Sequence, residues 1–165
     1  MAKDSSFDVV STVDMQEVDN AVQQCAREMT QRYDLKSSGA SISLSKAEET
    51  VTVSAPSDFV ANQVIDVLNS KLFKRKVELN AISWSEPQAA SGSTVRIVGK
   101  VVSGIDADLA KKINKEIRDL KLKVKVTIEG DKLRVSSAKK DTLQEVIAFL
   151  KDKDYGQPLQ YVNYR

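Results

Sequence analysis

Apolar and polar residues alternate through residues 121–137, KLKVKVTIEGDKLRVSS, on both sides of Gly130 and Asp131. A period of two is that of a strand half buried in a sheet, so the segment predicts a β-hairpin. With Leu122, Val124, Val126, Ile128, Leu133 and Val135 turned inward, Lys121, Lys123, Lys125, Lys132 and Arg134 fall on the opposite face.

The same kind of reading extends along the chain. SFDVVS predicts a strand over residues 6–11, and Asp14 with Glu17 forms a capping-box pattern that opens a helix toward Tyr33. Met15, Val18, Val22, Cys25 and Met29 recur at the spacing of that helix's buried stripe. GASISLS and TVTVSA predict a hairpin, SDFVANQVIDVLNSKL a helix and LNAISWS a closing strand. SEPQAASGST, with Pro87, Gly92 and three serines, reads as a linker. Beyond it TVRIVGKVV predicts a strand, DADLAKKINKEIRDL a helix, then come the cationic hairpin, a helix over about 141–153 capped by Asp141, and PLQYVNY as the last strand.

These elements form one unit written twice. At a constant offset of 82, Val53, Ser54, Val64, Ile65 and Leu68 map onto Val135, Ser136, Val146, Ile147 and Leu150. Each copy has the order βαββαβ, which packs as a four-stranded antiparallel sheet with two helices on one face. The expected fold is therefore α+β, two tandem ferredoxin-like domains over residues 1–88 and 89–165. Leu109, Ile113, Ile117 and Leu120, with Leu143, Val146, Ile147 and Leu150, form the helical stripes that cover the second sheet. Its cationic face is left to solvent.

Composition narrows the chemistry. The 165 residues include no histidine and a single cysteine, which removes His-based triads and an internal disulfide. GxxxxGK[ST] and GxGxxG are both absent from the sequence, so common phosphate-cradling loops are missing. No spaced set of metal ligands occurs, and no cofactor or metal is expected. The net charge is +2, divided unevenly: residues 1–92 carry 9 Lys+Arg against 13 Asp+Glu, a balance of −4, and residues 93–165 carry 16 against 10, a balance of +6. An anionic partner is expected to dock on the second half. No apolar run approaches the roughly 20 residues of a membrane span. The opening MAKDSSFD has no signal-peptide pattern, and a cytoplasmic location is the expectation.

The candidate site begins with the five hairpin cations, which have no acidic partner among them. Base stacking on this hairpin is excluded, because its outward positions include Lys132, Arg134 and Ser136 and no aromatic residue. Phosphate neutralisation is what remains. Lys139 and Lys140 join them at the start of a helix whose free N–H groups favour anions. Arg96 and Lys100, on one side of TVRIVGKVV, extend the basic set. Arg32 and Tyr33, Tyr161 and Tyr164 are secondary candidates.

Several stretches also carry a family resemblance. SFDVVSTVDMQEVDNAV, RYDLK at 32–36, AKKINKEI at 110–117, LKVKVTIEGDKLRV and the final PLQYVNYR together resemble the YajQ family of bacterial proteins, over almost the whole chain and in order. Leu35 and Ser37 depart from the RYDFKG of many members, and Ser136, Ser137 and Ala138 from their TGK. The resemblance implies tandem ferredoxin-like domains with exchanged N-terminal strands, residues 6–11 lying in the second sheet and 94–102 in the first. It also implies nucleotide binding, with cyclic di-GMP recognised by some members and nucleic acid suggested for others.

The leading functional expectation is a non-enzymatic protein that binds a nucleotide (cyclic di-GMP or GTP) or RNA through the basic sheet face of its second domain. The alternative is a protein-interaction adaptor in a regulatory or transcription-associated complex. An enzyme using carboxylates such as Asp34 or Asp106 ranks third.

Overall fold

The computed structural model describes residues 4–165. Its strands are β1 (Ser5–Val10), β2 (Ser41–Ser45), β3 (Thr50–Ala55), β4 (Ile82–Trp84), β5 (Gln88–Ala90), β6 (Thr94–Val101), β7 (Lys125–Glu129), β8 (Lys132–Ser137) and β9 (Gln160–Val162). Its helices are α1 (Met15–Gln31), α2 (Asp58–Lys74), α3 (Ala107–Asp119) and α4 (Lys140–Lys151). They form two compact units, Val13–Val102 and a second built from residues 4–12 with Ser103–Arg165.

In the second unit the sheet order is β7-β8-β1-β9, antiparallel throughout. Phe7 stands opposite Val135 and Val9 opposite Leu133, all four fully buried against Ile113 and Ile117 of α3 and Val146 and Leu150 of α4. In the Val13–Val102 unit the order is β2-β3-β6-β4, with β5 also pairing β6. Val51, Val53 and Ile97 pack there beneath Val18 and Val22 of α1 and Val64 and Leu68 of α2. Each sheet is a complete ferredoxin-like arrangement whose first strand comes from the other sequence copy: β1 joins the second copy's sheet and β6 the first's. Duplicated positions keep duplicated roles, since Val53 and Val135 are central strand residues and Val64 with Val146, and Leu68 with Leu150, are buried helix residues.

Four local expectations are corrected. The expected linker contains β5, paired with β6 from Gln88 opposite Arg96 to Ala90 opposite Thr94, because Gly92 and Ser93 adopt the left-handed backbone that lets the chain reverse. Asp14 caps α1 by accepting from the Gln16 and Glu17 N–H groups, but the Glu17 carboxylate turns away to Arg75 and Asn20, so the box is not closed. Asp141 lies inside α4 rather than capping it; Lys139 holds the cap position and offers no side-chain acceptor. Ile128 takes the inward register opposite Leu133 yet is 41% exposed, because it lies at the turn end of an edge strand.

Candidate functional site

Strand pairing sorts the hairpin cations into two groups. At the turn end, Glu129 is registered with Lys132, and Asp8 of β1 with Arg134. Arg134 Nε donates to Asp8 Oδ1 at 3.1 Å, Lys132 Nζ lies 3.5 Å from Asp8 Oδ2, and Asn163 Nδ2 donates to Asp8 Oδ2 at 2.7 Å. Glu129 is a further 3.6 Å partner of Arg134. Burial alone would raise the Asp8 pKa, but hydrogen bonds from Asn163 and Arg134 and the charges of Lys132 and Arg134 outweigh it and hold the carboxyl below its usual range. The expectation of a cationic face without acidic partners is therefore corrected. Its acid comes from the hairpin's own Glu129 and from a strand more than a hundred residues away.

At the opposite end the cations are uncommitted. Lys125 is registered with Ser136, and Ser136 with Ser6. The Ser137 hydroxyl donates to the Lys123 carbonyl at 2.9 Å and accepts from the Lys139 N–H at 3.3 Å, which ties the approach to β7 to the start of α4. Lys123, Lys125, Lys139 and Lys140 are all exposed, and none has an ion-pair partner among the described residues. Lys121, in a left-handed conformation, and Lys123 both precede β7, so the alternation expected from Lys121 onward is that of a strand only from Lys125.

A cleft of about 310 Å³ opens beside this end, with Ser5, Ser6, Lys140, Gln144, Tyr164 and Arg165 in its wall. Tyr164 has its ring 6.2 Å from the Phe7 ring and remains 60% exposed. One side of the ring is supported by the core and the rest is open. Backbone bonds exchanged between Ser6 and Arg165, at 3.2 and 3.0 Å, hold the tail in place. Asp14, Ser57 and Asp106 side chains accept first-turn N–H groups of α1, α2 and α3, whereas among the described residues no side chain does so for α4. Its first-turn amides are free to meet an anion at Lys139 and Lys140.

The other candidates lie elsewhere. Arg96 and Lys100 are exposed on β6, in the sheet of the Val13–Val102 unit, and Lys100 Nζ donates to the Glu48 carbonyl at 2.7 Å. Arg32 is engaged by Asp34 through two bonds of 3.1 and 3.0 Å, and Gln63 donates to the same carboxylate. Tyr33 is 89% exposed beside Lys36. Tyr161 packs edge-on to Phe7 at 6.1 Å in the core. Sequence reasoning missed Asp8, Ser5, Ser6, Gln144 and Arg165. A signal existed for Asp8: in SFDVVS, period two separates it from the inward Phe7 and Val9.

Two βαββαβ units, each completed by the other copy's first strand, make the chain a tandem ferredoxin-like protein. It belongs to the YajQ-like family: the model described as "Nucleotide-binding protein YajQ-like" matches residues 5–165. Proteins similar to it include a nucleotide-binding protein of Desulfitobacterium hafniense, 50% identical over 165 residues and the whole of both chains. A nucleotide-binding protein of Nocardia farcinica is 50% identical over 163 residues, 98% of this chain and 99% of that one. One of Synechococcus elongatus is 46% identical over 165 residues and the whole of both. Among the described residues no group of three or more Asp, Glu or Cys side chains is placed to hold a metal, and no helix is long and apolar enough to cross a membrane.

Proposed function

We propose that the chain is a non-enzymatic nucleotide-binding protein whose site is the cleft between the start of α4 and the start of β1. The observation that carries this reading is the cleft's composition: an aromatic ring anchored on Phe7 and open on its other side, next to Lys140 and Arg165. Tyr164 stacks a base, while Lys139, Lys140 and the uncapped amides of α4 hold phosphate. Lys125 at the start of β7 and Lys123 just before it extend the cationic surface, which accommodates RNA as well as cyclic di-GMP or GTP. The relatives' names support nucleotide binding in general.

The test is a binding panel of cyclic di-GMP, GTP and a short single-stranded RNA at two salt concentrations, with Tyr164→Ala and a Lys139→Gln/Lys140→Gln double variant. Each variant is expected to weaken the bound ligand by tenfold or more, and Lys132→Gln by much less. Equal binding by all of them overturns this site. A second reading, a protein-interaction adaptor, rests on Phe59 and Phe73, 72% and 75% exposed on α2. Recovery of a stoichiometric protein partner free of nucleotide, lost on Phe59→Ser, would favour it.

A further inference from the structure

The Val13–Val102 unit ends in an unprotected sheet edge. In the order β2-β3-β6-β4, β2 is paired on one side only, so alternate N–H and C=O groups of Ser41–Ser45 face outward. Protein edges are usually blunted by lysine, proline or a bulge. The strand SISLS contains no lysine or proline, and its five-residue register with β3 is unbroken.

A groove of about 310 Å³ adjoins this edge. Met29 of α1 and Leu35, both buried, belong to its wall, together with Thr30, Ala40, Ile42 and Lys36. Ala40, Ile42 and Leu44 continue the core's apolar row to the edge and are themselves only partly buried. Lys36 is the one charged residue in the wall. Its ammonium lies 5.7 Å from the Tyr33 ring and has no carboxylate partner among the described residues.

We propose that this edge binds an extended segment of another protein, added as a strand beside β2, with an apolar side chain in the groove and a carboxylate against Lys36. The outward backbone groups require an extended partner, since only a strand presents donors and acceptors at matching intervals. Period two then turns alternate apolar side chains toward the Ile42 side. The lone cation sets the partner's charge. A second copy of β2 fits poorly: SISLS with its flanking Ala40 and Lys46 carries no carboxylate to meet Lys36.

The experiment titrates the isotopically labelled full chain with two capped heptapeptides alternating valine with polar residues, one carrying glutamates and the other lysines. The glutamate peptide is expected to shift amide resonances of Ser41–Ser45 and Lys36 and to bind at least threefold more tightly than the lysine peptide. Lys36→Glu should reverse that order. Thr30→Trp, an exposed helix position that fills the groove, should weaken the glutamate peptide fivefold or more while the rest of the spectrum is unchanged. Absence of shifts along β2 at millimolar peptide, indifference to charge, or self-association of the unliganded chain through Ser41–Ser45 overturns the proposal.

Discussion

Asp8 and Arg134 stand opposite each other on paired strands, 126 positions apart in sequence, with Arg134 Nε donating to the Asp8 carboxylate at 3.1 Å. Replacing Asp8 by Ala leaves Arg134, Lys132 and Asn163 without this acceptor. Lys132 and Arg134 are about one-third exposed, which moderates the penalty, and the expected loss is about 1–3 kcal/mol by urea denaturation. The carboxyl is depressed in the folded protein, so its contribution is fully present above the unfolded value of roughly 3.9 and disappears as pH falls through the lower folded value. Acid titration should therefore destabilise the natural chain in that window more than Asp8→Ala.

Phe7 tests the exchanged strand. It is fully buried opposite Val135, and Phe7→Ala is expected to cost about 3–5 kcal/mol. Hydrogen exchange should accelerate first in β8 and β9, with residues 13–102 much less affected. Deleting residues 1–11 should do the same more severely; unchanged protection over residues 121–137 would contradict the pairing.

Gly99 tests the reciprocal exchange. A Cβ there would meet the Ile82 methyl at 2.5 Å and the Trp84 ring at 2.7 Å, both on β4. Gly99→Ala is expected to destabilise by about 1–3 kcal/mol through overpacking, with altered Trp84 fluorescence, the chain's one tryptophan, as its local signature.

Cys25 should behave as a core residue. Burial pushes its thiol pKa up to about 12, with Glu28 adding to the effect, and its Sγ lies 3.6 Å from the Val64 carbonyl. A thiol reagent at pH 8 should label the native chain negligibly and the urea-unfolded chain fully.

The salt dependence of binding discriminates among the cations. For single-stranded RNA, each lysine that neutralises a phosphate contributes about 0.7 to the slope of log affinity against log salt. Lys140→Gln should reduce the slope by about that amount. Lys132→Gln should leave it nearly unchanged, because that ammonium already faces Asp8.

Element types and the duplication follow from the sequence because they depend on local periodicity: KVTIEGDKLRV alternates whatever surrounds it, and Val64 and Val146 repeat in helical stripes. Tyr164 and Lys140 were legible as candidates for the same reason, as an exposed aromatic near a strand end and a cation before a helix. What periodicity does not contain is the partner of each strand. Nothing local to SFDVVS states that it lies beside KLRVSS, yet that pairing brings Asp8 onto the hairpin and separates committed Lys132 and Arg134 from open Lys123 and Lys125. Likewise, Arg165 reaches Ser6 only because β1 is next to β9. Local pattern is enough to specify the two copies, their helices and strands, and the presence of a basic surface. Tertiary pairing decided which charges cancel and which converge, because electrostatic and hydrogen-bond energies depend on distances in space that residues far apart in the chain acquire only when the sheet closes.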